Sequence, residues 1–241
     1  MPDAIFAHPR LAALYDTFDG VREDLDAYVA LAGELGAASV LDVGCGTGSL
    51  AVLLARSGRT VIGVDPAAAS LAVARGKDPS ITWIEGDATT LPPLRVDLAT
   101  MTGNVAQVFR TDDDWARTLL GIRAALVPGG HFVFETRRPE FRAWQEWVAD
   151  TGPVVLDVPG AGPVEQRREV TAVALPLVSF RYTYRFPDGT SLTSDSTLRF
   201  RERAELESSL VAAGFRVLDV RPAPDRPGRE FVFVTQRGMS G

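Results

Sequence analysis

Three glycines alternate in the run Leu41-Asp42-Val43-Gly44-Cys45-Gly46-Thr47-Gly48, after a short apolar stretch and before Leu50, Leu53 and Leu54 at helical spacing. Glycine has no Cβ, so such a run lets the main chain turn sharply and lets a ligand lie against bare backbone. The helix that follows opens with unpaired N–H groups and the positive end of its dipole. A second acid, Asp65, closes the apolar run 60–65, 23 residues after Asp42. A carboxylate at the tip of such a strand accepts two hydrogen bonds from the hydroxyls of a ribose. It also suits the start of a helix, with Pro66 at the first helical position.

These residues need a scaffold, and the rest of the chain supplies its pattern. Apolar runs at 39–43, 60–65, 81–85, 95–101, 131–136, 215–220 and 230–236 predict strands, with helices at 67–75, 113–126 and 202–213 between them. Alternation of this kind makes a mainly parallel, doubly wound α/β sheet whose ligands sit at the carboxyl ends of the strands. The final strand follows a turn too short for a parallel crossover, so it must run antiparallel to its neighbour. Residues 1–38 predict helices, with a break at Asp19-Gly20, a second helix from Val21 to Leu35 and a stop at Gly36. From about 153 to 200 the period changes to two: Phe180, Tyr182, Tyr184 and Phe186 alternate with Arg181, Thr183 and Arg185, then Pro187-Asp188-Gly189 turns the chain. Residues 164–174 predict a further strand of this antiparallel insertion. The expected organisation is an N-terminal helical lid (1–38), a Rossmann-like domain (39–150 and 201–241) and an antiparallel β insertion (151–200). The insertion is expected to act as a substrate cap or a dimer contact, with an exposed aromatic row.

The glycine run resembles the first motif of class I S-adenosylmethionine-dependent methyltransferases, an acid followed by alternating glycines. A dinucleotide fingerprint would want its third glycine where Ser49 stands. The resemblance covers about residues 39–137 and 202–236 and implies a seven-stranded sheet with an antiparallel last strand. It assigns Asp42, Gly44, Cys45, Gly46 and Gly48 to the cofactor turn, and Asp65 with Pro66 to the ribose. Asp87 and Ala88 after the third strand then meet the adenine. The loop after the fourth strand, with Met101, Thr102 and Asn104, passes the methionine part. Val127-Pro128-Gly129-Gly130 before the fifth strand is another recurrent feature of that family. Tyr15, Gln107 and Arg137 are candidate substrate contacts. The implied cofactor is S-adenosylmethionine, the product S-adenosylhomocysteine; no metal ligand set is assigned.

Methyl transfer to an amine needs an unprotonated acceptor, whereas a hydroxyl usually needs a general base. The candidates for that base are His8, Tyr15 and Glu135. His131 starts its strand, at the end away from the ligand edge, and reads as structural. The 241 residues carry a net charge of −6 without a basic block, which argues against tight binding to a phosphate backbone. One cysteine excludes an internal disulfide and makes the cytoplasm the default location. No apolar run approaches the ~20 residues of a bilayer span. A small-molecule N or O acceptor is therefore the expected partner, with a homodimer possible on this pattern and neither nucleic acid nor membrane expected. Two alternatives remain: a regulatory protein that binds the cofactor without methyl transfer, and an NAD-dependent oxidoreductase.

Overall fold

The computed structural model describes residues 1–150 and 152–239. The expected insertion boundary at 151 and the last two residues of the expected Rossmann-like domain lie outside the described residues. Four helices, α1 (Ala4–Ala7), α2 (Pro9–Ala12), α3 (Tyr15–Asp19) and α4 (Leu25–Glu34), precede the first strand, β1 (Ser39–Val43). Then come α5 (Ser49–Arg56), β2 (Thr60–Asp65), α6 (Ala68–Lys77), β3 (Thr82–Glu85), β4 (Val96–Met101), α7 (Asp112–Ala125) and β5 (Leu126–Arg137). After α8 (Ala143–Ala149) the chain forms β6 (Val154–Val158), β7 (Gly162–Ala174), β8 (Leu177–Arg185) and β9 (Ser191–Arg199). It returns through α9 (Arg203–Ala212) to β10 (Phe215–Pro222) and β11 (Glu230–Arg237).

The larger sheet has seven strands in the order β10-β11-β5-β4-β1-β2-β3. All its pairs are parallel except those of β11, which runs antiparallel to both β10 and β5. Strand order reverses between β1 and β4, and a crevice opens at such a point on the carboxyl side. Both faces are buried, and alternation sorts the side chains between them. Phe132 and Phe134 of β5 and Phe231 and Phe233 of β11 enter one core with Trp115 of α7 and Leu206 of α9. Their neighbours Val133, Val232 and Val234 enter the other, with Leu50 and Leu54 of α5 and Tyr28 of α4. Stacked rings tie β5 to β11, with Phe134 and Phe233 centroids 4.9 Å apart. Each fully buried side chain of this size contributes roughly 1.5–3 kcal/mol.

The second sheet is antiparallel, in the order β6-β7-β8-β9. Here the expected exposed aromatic row is corrected. Tyr184 of β8 is buried and Tyr182 half-buried, and both pack with Leu11, Leu14 and Phe18 of the N-terminal helices. Phe180 lies edge-on to Trp147 of α8 at 5.4 Å. The outer face carries instead the ion pairs Arg181–Asp195 and Arg185–Glu165. Period two fixes that Phe180, Tyr182 and Tyr184 share a face, and the N-terminal helices supply the apolar surface that turns this face inward. The short strand β6 has no counterpart in the sequence expectations, since Val154 and Val155 are exposed and show no alternation.

The N-terminal segment is more broken than the periodicity predicts. Pro9 cannot donate an N–H, and His8 Nδ1 instead accepts from Arg10 N, so α2 starts afresh. The helix expected from Val21 begins at Leu25, because Arg22 is held in the preceding loop by Asp19 and Asp24.

Candidate functional site

The glycine turn leaves β1 with Gly44, Gly46 and Gly48 all at positive φ, +70°, +53° and +81°. Two of the three are also sterically required. A Cβ on Gly44 would stand 2.7 Å from Val105, and one on Gly48 2.6 Å from the Trp83 ring. A Cβ on Gly46 would meet no atom within 4 Å. The turn is thus packed from behind at its ends and open in front at its middle, which is the shape a ligand lying on bare backbone requires.

Asp65, at the tip of β2, braces this turn. Its Oδ2 accepts from Gly46 N at 2.9 Å and its Oδ1 from Ala67 N at 2.8 Å. Burial pushes its pKa up, while the two N–H groups pull it down. Helix α6 begins only at Ala68, so Pro66 is exposed ahead of the helix and not at its first position. Each carboxylate oxygen keeps a further lone pair for a hydroxyl donor.

Asp42 is placed differently. It is 2 % exposed within β1, and Thr100 Oγ1 donates to it at 2.8 Å. Burial, with the Asp65 charge adding to it, raises its pKa to about 7. Cys45 is also buried, and its thiol is pushed well up by burial and then by the two acids, so it stays a neutral packing group. Asp87 is exposed and accepts from Thr89 N and Oγ1, at 2.8 and 2.6 Å. Ala88 is buried beside Gly121 of α7, where any Cβ would strike the Ala88 carbonyl at 1.9 Å. Gly121 therefore sets how closely α7 approaches this edge, a role that no sequence pattern marks.

The loop after β4 is the most constrained part of the site. Met101 is fully buried and packs into the core. Thr102 is half-buried. Gly103 and Asn104 follow with φ of +69° and +61°, the second a rare conformation for a residue with a side chain. Glu135 Oε1, from β5, accepts from Gly103 N at 2.6 Å and from Asn104 N at 3.3 Å. Its Oε2 accepts from the Tyr28 hydroxyl. Asn104 Nδ2 donates to Glu230 at 3.2 Å, and Asn104 Oδ1 is buried with no donor among the described residues. Gln107 is fully buried, accepting from Arg137 Nη1 at 2.9 Å and donating to Arg199 O at 3.3 Å. Arg137 also stands 3.8 Å from Glu230 and over the Trp147 ring. Arg201, absent from the sequence candidates, is 2 % exposed and donates to the carbonyls of Ala106, Phe109 and Thr111. No local signal could have found it, because its partners lie some ninety residues away.

The N-terminal helices reach this edge. Thr47 Oγ1, inside the glycine turn, donates to Asp16 of α3 at 2.6 Å, and Lys77 pairs with Asp16 at 2.6 Å. Tyr15 packs on Phe6 at 5.4 Å, and burial, then Asp19, pushes its hydroxyl up, so it remains protonated. His8 is exposed at the start of α2. The structure gathers Gly44, Gly46, Asp65, the 102–104 loop, Glu135 and Arg137 at the carboxyl ends of the strands. His8 lies outside that group, exposed at the start of α2, and Asp42 is enclosed in β1.

These residues fit a nucleoside with a cationic amino-acid tail. Gly46 leaves open backbone, Asp65 holds spare acceptor capacity, and Asn104 Oδ1 is a buried acceptor lacking a donor. The sequence profile of the methyltransferase domain family matches residues 40–130. An uncharacterized methyltransferase of Oceanobacillus iheyensis is 34 % identical over 95 residues, 39 % of this chain and 45 % of that protein. The chain spans about half the length of the curated relatives it matches. Among solved structures, an S-adenosylmethionine-dependent methyltransferase of Clostridium acetobutylicum superposes with a TM-score of 0.78 at 19 % identity, covering 95 % of this chain and 98 % of that one. The sugar N-methyltransferase KedS8 of Streptoalloteichus superposes at 0.76 and 19 % identity, covering 93 % and 92 %. Residues 40–130, the glycine turn included, thus match a methyltransferase domain, and the seven-stranded sheet shares its fold with these S-adenosylmethionine-dependent enzymes.

Proposed function

We propose that this protein transfers the methyl group of S-adenosylmethionine to a nitrogen of a small molecule. The observation that carries this reading is the convergence of the open Gly46 backbone, Asp65 and the orphan Asn104 Oδ1 at one sheet edge under a lid. Bound there, the sulfonium cofactor supplies an electrophilic methyl. Asp65 would hold the ribose hydroxyls while bracing the turn, Asp87 and Ala88 would border the adenine, and Asn104 Oδ1 would take an N–H of the amino-acid tail.

The protein's part in the reaction is orientation and exclusion of water, which can supply much of the rate of an in-line displacement. Nitrogen is favoured over oxygen because the available bases are engaged elsewhere. Glu135 accepts three donors, Tyr15 keeps its proton, and His8 caps a helix in solvent. An amine that arrives unprotonated needs none of them. The acceptor lies between the strand edge and the inner face of the small sheet, where Tyr182 and Phe180 offer flat apolar surface and Arg137 and Arg168 flank Trp147. The lid and the small sheet act together as the substrate cap, and the likeness to a sugar N-methyltransferase supports a compact amine acceptor.

Calorimetry with S-adenosylmethionine, S-adenosylhomocysteine and NAD tests the cofactor, and methyl release over a panel of amines, amino sugars and phenols tests the acceptor. Turnover on amines alone is the expected result. Binding of NAD in place of the sulfonium, or tight cofactor binding with no turnover on any acceptor, would overturn it.

A further inference from the structure

Glu135 looks like a base by position, at the carboxyl end of β5 beside the crevice. Its bonding says otherwise. It is 4 % exposed, one oxygen is taken by two main-chain N–H groups of the β4 loop, and the other by the Tyr28 hydroxyl. Tyr28 sits on α4, 107 residues away, and is itself 2 % exposed. The residues that Glu135 holds are the consecutive left-handed pair Gly103 and Asn104. A left-handed residue with a side chain is uncommon, even for asparagine, and persists where its surroundings over-determine it. Two N–H bonds to one carboxylate oxygen, with the Asn104 side chain anchored on Glu230, are that over-determination. Glu230 is buried in turn, with Arg226 at 3.2 Å and Arg137 at 3.8 Å.

We infer that Glu135 is a positioning residue: with Tyr28 it clamps the Gly103–Asn104 turn and thereby presents Asn104 Oδ1 to the cofactor's amino-acid end. The inference rests on the proposed function for the identity of the ligand; the clamp itself rests on the bonds alone. A clamp and a base differ in what they require of the side chain. The clamp needs an acceptor oxygen, which glutamine keeps. A base needs a carboxylate, which glutamine lacks.

The test compares Glu135→Gln, Glu135→Ala and Tyr28→Phe with the parent. Affinity for S-adenosylhomocysteine is read by calorimetry, amide exchange at residues 103 and 104 is read without ligand, and kcat is measured on any amine the parent methylates. Glu135→Gln is expected to stay within about fivefold of the parent in affinity, exchange and kcat. Glu135→Ala is expected to weaken affinity at least tenfold and to speed exchange at both amides comparably, as the loss of charge-assisted bonds implies. A Glu135→Gln protein that binds normally but loses roughly 10²–10⁴ in kcat would make Glu135 a base and overturn the inference. So would a folded Glu135→Ala protein with unchanged exchange and affinity. Should Glu135→Ala fail to fold, Tyr28→Phe decides: faster exchange at 103 and 104 upholds the clamp, and unchanged exchange overturns it. A parent that binds no S-adenosylhomocysteine would sink the functional reading instead, while the exchange data would still judge the clamp.

Discussion

Replacing Asp42 by asparagine should stabilise the protein at neutral pH and remove part of its pH dependence. Asp42 is enclosed in β1, Thr100 is its side-chain donor among the described residues, and the Asp65 carboxylate opposes its charge. The nearby Cys45 thiol stays neutral and offers no compensation. The pKa therefore rises from 3.8 to about 7 on folding. An acid whose folded pKa is raised leaves the folded chain holding more protons than the unfolded chain between those two values. Stability is then full below the unfolded pKa and falls as pH climbs toward 7. At 1.36 kcal/mol per unit, a rise of roughly three units amounts to about 4 kcal/mol as a ceiling. Asparagine keeps an acceptor for Thr100 and cannot ionise. Asp42→Asn should thus match the parent near pH 4 and exceed it at pH 8, by on the order of 10 °C in Tm at the ceiling. Thermal unfolding of the ligand-free proteins from pH 4 to 8 measures this as a difference curve, in which the raised pKa values of Asp65 and Glu135, shared by both proteins, largely cancel. Parallel melting curves for the two proteins across that range would refute the argument that burial governs this carboxylate.

Asp65→Ala removes the brace on Gly46 N together with the acceptor for the ribose; S-adenosylhomocysteine affinity should fall at least tenfold by calorimetry in a folded protein, at roughly 1.5–3 kcal/mol per charge-assisted bond. Equal affinity would dissolve the assignment of this crevice. Gly48→Ala combines a left-handed backbone with a contact of 2.6 Å to Trp83, so urea unfolding should show a loss of about 2–4 kcal/mol. The double variant with Trp83→Ala should recover the steric share of that loss relative to Trp83→Ala alone, and strict additivity would refute the packing argument. Asp16→Ala frees the lid from Thr47 and Lys77; both contacts are partly exposed, so stability should change by under about 1 kcal/mol. Stopped-flow release of S-adenosylhomocysteine should nonetheless speed up several-fold, and an unchanged off-rate would show that the lid does not gate the crevice.

The chain's local chemistry determined a great deal. Alternating glycines at 44, 46 and 48 require a turn no other residues would make in this space, and the apolar runs on either side of them require buried strands. The brevity of the link between β10 and β11 forces antiparallel pairing. Asp65 was legible because a strand end carries its own position in the sequence. What the tertiary structure alone decided concerns side chains whose partners are remote. The motif places Asp42 at the glycine turn, but that its carboxyl is enclosed and bonded by Thr100, 58 residues on, is visible only in the structure. Glu135 was a candidate base, and only its meeting with Tyr28 and the 103–104 amides makes it a clamp. Period two puts Phe180, Tyr182 and Tyr184 on one face, but which way that face points is settled by the N-terminal helices that pack on it. Periodicity along a strand or helix follows from backbone geometry and can be read locally; which surface meets which is settled by burial summed over distant segments, and no short stretch of sequence contains that sum.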